Sequence, residues 1–548
     1  MRNPFRRAPE SERPLLKPYS GVGASFLQRN IVLIATILLG VACVPYGFYY
    51  ALFTPWLLVN FLAPLAAMVV VLIWVLPPAR SAPDVAIERL FFMFFVVFSL
   101  WPNYLAIALP GLPWITMTRL VGIPLVLLFL TGISISSATR IQLASILRQS
   151  PAVWRLLVLF VLIQTISIVF SSQPGESMSK YMVHQTNETA IFFICAYVFR
   201  MPGRLERWAW MLWGFAIILS VNALIEFRLA HVLWAGHVPD FLAVQDETVA
   251  KILGGGMRVT TDTYRAQGIF STSLGCGEYL AYATPFVFHI AANAKYKPFV
   301  RFAALGSLIL IIDAILATDS RLGILGYFIG TSLYALGWAV QKWRREPHSL
   351  LAPTVLAIYP VGFVAFIAAS FTVGRIKAKV WGMGQYENSN QARIDQFHMS
   401  LPKLLSHPWG YGIGRGAEAL GYTNLGGGLT IDVYYVLVAM EYGIIGFFVF
   451  FGIFISSIIY SIKYVAFSRS EDNEFRFAFP ACISLFIFIV AKAFFAQEDN
   501  HPIVFMLAGI VTALVWRARI AGSGLIASSA RNGRVSRPSS RLEGFRMV

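Results

Sequence analysis

Charge is what this chain of 548 residues lacks: Asp, Glu, Lys and Arg make up 13% of it, about half the share of a soluble domain. With 57% hydrophobic residues and a mean hydropathy of +0.66, a soluble globular protein is excluded. Cysteine is scarce as well. The four (Cys43, Cys195, Cys276 and Cys482) are scattered, mostly within apolar runs, and form no CxxC. That argues against a disulfide framework and against a zinc site. Acidic residues are the rarer sign, 27 against 44 basic, giving a net charge of +17. No cleavable leader is legible. The first thirty residues are polar and basic, so the first apolar run is expected to insert as a signal anchor.

What the chain has in quantity is apolar runs long enough to cross a bilayer. They predict an all-α polytopic membrane protein of about fourteen transmembrane helices, near 31–51, 56–76, 90–109, 117–135, 153–170, 184–199, 208–228, 274–294, 302–318, 322–341, 350–371, 431–462, 477–496 and 501–516. With the N-terminus placed inside, the basic clusters Arg140/Arg148/Arg155, Arg200/Arg204/Arg207, Lys295/Lys297/Arg301, Lys342/Arg344/Arg345 and Lys463/Arg469/Arg476 all fall on the cytoplasmic side. The excess of positive charge then follows from topology, and nucleic acid is not an expected partner. The division expected is a basic cytoplasmic N-terminus (1–30), an N-terminal bundle (31–228), an outer loop (229–274), further spans (275–371), a large outer loop (372–430), C-terminal spans (431–516) and a disordered basic cytoplasmic tail (517–548). Both termini would be cytoplasmic. The two long loops hold aromatic residues such as Trp234, Tyr264, Trp381, Tyr386, Trp409, Tyr411 and Tyr422, so short helices are expected in them.

Some basic residues break the topological rule. Arg258, Arg265, Arg321, Arg375, Lys377, Lys379, Arg393 and Arg415 all map to the outer side. A local anion accounts for them, and arginine suits diphosphate because its planar fork binds two oxygens at once. Pairing with Asp262, Glu387, Asp395 or Glu418, or with lipid headgroups, is the structural alternative. In ATDSRLGILGYFIG, Arg321 interrupts a long apolar stretch. A bilayer-centre arginine costs roughly 2.5–3.5 kcal/mol, and the turn between two spans relieves that cost. The glycines of HPWGYGIGRG (His407 to Gly416) form either an anion nest or a plain turn, since no strand precedes them. Asp432, at the mouth of a long apolar helix, is a general base or a helix cap. His398 and His407 are alternative bases, and Glu441 is expected to be structural. Tyr411 and Tyr435 are candidates to stack on sugar rings.

Taken in order, four stretches resemble one family. RAQGIFSTSLGCGEYLAY (Arg265 to Tyr282) is similar to the Arg-x-x-Gly-x-Phe segment of O-antigen ligase and polymerase-like proteins. DSRLGILG resembles their Ser-Arg-x-x-x-x-Gly turn, and ARIDQFHMSLPKLLSHPWGYGIG their outer-loop helix ending in Pro-x-x-Gly-x-Gly. The Asp432 helix with EYGIIG resembles their last motif. The resemblance implies a metal-independent, inverting membrane glycosyltransferase acting on a polyprenyl-diphosphate-linked oligosaccharide at the outer face of the bacterial inner membrane. It implies diphosphate contacts for Arg265, Arg321 and Arg393, with a carboxylate or imidazole opposite as base, for which Asp432 is the candidate. Arg258, Arg415, Tyr411, Tyr435 and His398 are further candidate substrate contacts on their own place in the outer segments. Ligases of this family carry His-Asn or His-Ser where this chain has Asp432-Val433, which favours the polymerase branch. A ligase that transfers glycan to lipid A-core or protein, and a flippase for the same lipid-linked sugar, are the alternatives. Membrane lipids, a chain-length regulator and export proteins are the remaining expected partners.

Overall fold

The computed structural model describes residues 37, 41, 68–79, 81–108, 114–242, 244, 246–258, 263–346, 348, 350–372, 374, 387–423, 427–466 and 472–533. The chain divides into two compact units. The smaller is described at 37 and 41 and over 68–79, 81, 82 and 130–137, where the Ala79 N–H donates to the Ile135 carbonyl at 2.8 Å. The larger carries the rest.

The elements in chain order are α1 (Asp84–Leu100), the short strands β1 (Ala106–Ile107) and β2 (Ile115–Thr116), α2 (Met117–Ile135), α3 (Ser137–Leu147), α4 (Pro151–Ser167), α5 (Pro174–His184), α6 (Ala190–Val198), α7 (Arg204–Leu229), α8 (Glu247–Leu253), the strands β3 (Gly256–Arg258) and β4 (Thr263–Arg265), α9 (Ser273–Ala292), α10 (Pro298–Ala317), α11 (Arg321–Arg345), α12 (Leu351–Thr372), α13 (Glu387–Ser406), α14 (Gly416–Leu420), α15 (Tyr434–Ser461), α16 (Asn473–Arg476), α17 (Ala478–Lys492) and α18 (His501–Gly533). The strands pair only as antiparallel hairpins, β1 with β2 and β3 with β4.

Among the described residues nine helices are long and apolar enough to cross a membrane, so the protein is a multi-pass helical membrane protein. The described residues do not confirm the count of about fourteen. The expected spans near 31–51 and 56–76 fall mostly outside the described residues. The one near 90–109 starts earlier, as α1, and stops at Leu100, giving way to a turn and β1. The one near 184–199 is the end of a composite run in which α5 continues through a π turn, Gln185–Thr189, into α6. Helix α9 is absent from the nine for a physical reason. Almost all its side chains are buried by protein, including Glu278 and His289, and a helix shielded in this way need not be compatible with lipid. The 229–274 loop contains the β3–β4 hairpin as well as α8, and α18 continues to Gly533, so 517–533 is helical.

Close helix approach explains the glycine spacing of RLGILGYFIG. On α11 a Cβ at Gly323 would lie 3.1 Å from the Gly277 Cα, one at Gly326 2.8 Å from the Ala281 Cβ, and one at Gly330 3.2 Å from the Pro285 Cγ. These positions share a face of α11 and meet the 277/281/285 stripe of α9, the small-residue packing common between membrane helices. That contact fixes the α10–α11 turn against the start of α9.

Candidate functional site

The site assembles around the α10–α11 turn. Helix α10 ends at Ala317, Asp319 adopts a left-handed conformation (φ 47°), and Ser320 caps α11 by accepting the Gly323 N–H at 3.0 Å. Arg321 is therefore the first residue of a helix. Helix N-termini carry partial positive charge, so an arginine there opposes the dipole rather than complementing it. The same end favours a bound anion.

Arg265 is sewn to this turn. Its Nε donates to the Thr318 carbonyl at 3.2 Å, and the next residue, Ala266, donates its N–H to Ala317 at 3.1 Å. From the other side the fully buried Glu226 of α7 grips the same loop. It accepts the Tyr264 hydroxyl at 2.8 Å and the N–H groups of Gln267 at 3.0 Å and Gly268 at 2.7 Å. A backbone-bonded buried carboxylate fixes the loop path, and Thr272 then caps α9.

Helix α13 approaches with three polar side chains on one face, at 390, 393 and 396. Asn390 Oδ1 accepts from Arg321 Nη2 at 3.3 Å and from Arg393 Nη1 at 3.2 Å. Burial lowers the Arg393 pKa below the usual guanidinium value, with the Asp432 carboxylate acting in the opposite direction. Its Nε is buried without a hydrogen-bond partner among the described residues. Gln396, fully buried, accepts the Asp432 N–H at 2.8 Å. Asp432 does not cap α15. The N-cap is Val433, and among the described residues the Asp432 carboxylate takes no hydrogen bond. Arg265, Arg321, Arg393 and Asp432 are thus linked through short contacts.

The other anticipated residues are placed elsewhere. Arg415, almost fully buried, is clamped between Glu418, at 2.7 Å, and Glu176. The Tyr435 hydroxyl donates to the Ile489 carbonyl at 2.6 Å and its ring packs on Phe447 and Phe451. The Tyr411 hydroxyl donates to the Lys403 carbonyl, and its ring lies against His407. His398 is exposed on α13. Arg258 is in β3 with its side chain outside the described residues, as are Arg375, Lys377 and Lys379. Asn390, Gln396 and Glu226 were not anticipated. Polar residues three positions either side of Arg393 were the available signal for the first two. Glu226 offered only an acidic residue at the end of an apolar run.

The glycine-rich stretch is neither an anion nest nor a free turn. Helix α15 breaks at Gly443 (φ 73°, ψ −179°), and the loop fills the gap. Tyr411 N–H donates to the Met440 carbonyl at 2.8 Å, Gly412 N–H to Glu441 at 3.2 Å, and Ile444 N–H to Pro408 at 3.1 Å. The loop amides therefore replace bonds the helix lost, which lets a membrane helix be discontinuous. Beside the break Glu441 pairs with Lys180 at 3.1 Å, and Lys180 also reaches Glu498 at 3.3 Å. Burial acts against the charged Lys180, yet these two carboxylates hold its pKa above the ordinary lysine value. Deeper in the bundle Lys492 pairs with Glu278 at 3.0 Å. Among the described residues no group of three or more His, Cys, Asp or Glu side chains is arranged to hold a metal ion.

Residues 306–451 match the family model described as O-antigen ligase. The matched segment includes Arg321, Asn390, Arg393, Gln396 and Asp432, and excludes Arg265 and Glu226. No curated protein matches the chain.

Proposed function

We propose that this chain, whose residues 306–451 match the family model described as O-antigen ligase, is a polymerase that joins polyprenyl-diphosphate-linked oligosaccharide repeat units at the outer face of the bacterial inner membrane. The support is the grouping of Arg265 and Arg321 at one turn, with Arg321 and Arg393 bridged by Asn390 beside Asp432. In the proposed step a hydroxyl oxygen of the acceptor sugar attacks the anomeric carbon of the donor. The bond from that carbon to the diphosphate oxygen breaks, and the lipid diphosphate leaves with the electron pair. The hydroxyl proton passes to the Asp432 carboxylate, and the anomeric centre inverts. Guanidiniums already in place stabilise the charge that builds on the leaving group. A second lipid-linked unit serves as acceptor.

The ligase reading has an observation of its own, the name of the matched family. One reaction separates the two. Purified protein given a defined lipid-linked repeat unit as sole substrate forms a ladder of lengthening products if it polymerises, and transfers glycan only on addition of lipid A-core or protein if it ligates. Asp432→Asn should abolish most turnover in either case. An unchanged rate in that variant would remove Asp432 as base.

A further inference from the structure

We propose that Asn390 is the positioning residue that holds Arg321 and Arg393 as a matched pair for a lipid diphosphate, an inference that rests on the glycosyl-transfer reading above. The Asn390 Oδ1 accepts from Arg321 Nη2 at 3.3 Å and from Arg393 Nη1 at 3.2 Å. The two guanidinium nitrogens are therefore no further apart than the sum of those distances. Asn390 and Arg393 lie one turn apart on α13, whereas Arg321 begins α11. The bridge thus ties the outermost turn of one helix to an arginine on another.

Like charges repel at this range, so something must hold them together. Aspartate would be the stronger tie, having the same size, the same acceptor oxygen and a charge that both guanidiniums would welcome. It would also cancel one of the pair's two positive charges. An amide holds the two groups by geometry and adds no negative charge of its own to the site. Two guanidiniums at this separation match oxygens on two neighbouring phosphates, while a lone phosphate is satisfied by one fork. Arg393 Nε, buried without a hydrogen-bond partner among the described residues, adds a donor on the same side chain.

The test compares wild type, Asn390→Asp and Asn390→Ala in detergent, measuring thermal stability without ligand and the affinity for farnesyl diphosphate. Wild type should bind. Asn390→Asp keeps the acceptor oxygen, so its Tm should equal or exceed that of wild type while its affinity falls at least about tenfold. Asn390→Ala loses the bridge without adding charge, so it should bind more weakly than wild type but better than Asn390→Asp. If Asn390 served only the fold, Asn390→Asp would bind as wild type does, and that result overturns the proposal. Unchanged affinity in Asn390→Ala does the same should the aspartate variant not fold. If wild type itself ignores farnesyl diphosphate and lipid-linked oligosaccharide alike, the functional reading fails and takes this inference with it.

Discussion

Gly443→Ala tests whether the discontinuity of α15 is built into the protein. The backbone there combines φ 73° with ψ −179°, a region open essentially to glycine alone, and a side chain held in it costs ~1–3 kcal/mol. Strain is the smaller part. A Cβ would meet the Pro408 carbonyl oxygen at 2.2 Å and the Trp409 carbonyl carbon at 2.6 Å, both backbone atoms that cannot swing aside. The 408–412 loop would have to leave the gap and forfeit the bonds at Met440, Glu441 and Ile444, each worth ~0.5–1.5 kcal/mol and more where a buried group is left unpaired. A loss of about 3–5 kcal/mol follows, well beyond an ordinary point substitution. Gly452→Ala is the control. Gly452 lies in the regular part of α15, and its added methyl would meet the end of the Leu156 side chain at 3.3 Å, contact that a flexible leucine can relieve. Thermal denaturation in one detergent, read by intrinsic fluorescence, compares the two. Gly443→Ala should melt at least about 5 °C below wild type, with Gly452→Ala close to it. Equal melting of all three would show that the break carries no weight.

Arg321→Lys preserves charge and loses the fork, so it should lower kcat/KM on the order of 10–100-fold at unchanged Tm; full activity would remove Arg321 from the site. Glu226→Gln puts an amide where a carboxylate accepts two backbone N–H groups and a hydroxyl. One donor would then face another, at ~1–3 kcal/mol, and the donor-substrate KM should rise as Arg265 loses its register. Asp499, in the loop before α18, accepts the Ser271 hydroxyl at 2.6 Å, and burial holds its carboxyl pKa above the usual value. A raised folded value means that its contribution to stability is full below the unfolded pKa of ~3.9 and is lost as pH rises through the folded one. Asp499→Asn should therefore be more stable than wild type at pH 7 and no more stable near pH 4, read as the Tm difference at the two values.

Much of the helical framework was legible because apolar run length is a local property. The expected spans at 208–228 and 302–318 became Arg204–Leu229 and Pro298–Ala317, and the outer arginines drew attention because topology left them unexplained. What escaped was everything set by a distant partner. Arg415 looked like the other outer arginines, but its fate is decided by Glu176, which lies 239 positions away. Tyr435 reads as a sugar-stacking aromatic until the Ile489 carbonyl takes its hydroxyl, and a backbone carbonyl leaves no mark in a sequence. The break at Gly443 was hidden for the same reason. A glycine in an apolar run is ordinary in a membrane helix, and only the Pro408–Gly412 loop packed against it makes the interruption stable.

Several arginines of the scaffold are paired with carboxylates. Arg200 bonds to Asp84, Arg204 to Glu88, Arg415 to Glu176 and Glu418, and Arg517 to Asp472 and Glu474. In each the carboxylate ends the need for further anions. Arg393 donates instead to the amide oxygen of Asn390, which also accepts from Arg321, and a neutral acceptor orients a guanidinium without adding a negative charge. Asp432 stands near Arg393 and is held through its own N–H by Gln396, so its carboxylate oxygens are not committed to the backbone. On the reading proposed above, a neutral anchor on Arg393 would let it meet a departing diphosphate while Asp432 meets an arriving hydroxyl. Replacing the neutral anchor Asn390 with a charged one of the same shape should therefore harm turnover more than it harms the fold, whereas neutralising Asp84 or Glu474, the carboxylates on Arg200 and Arg517, should harm the fold first.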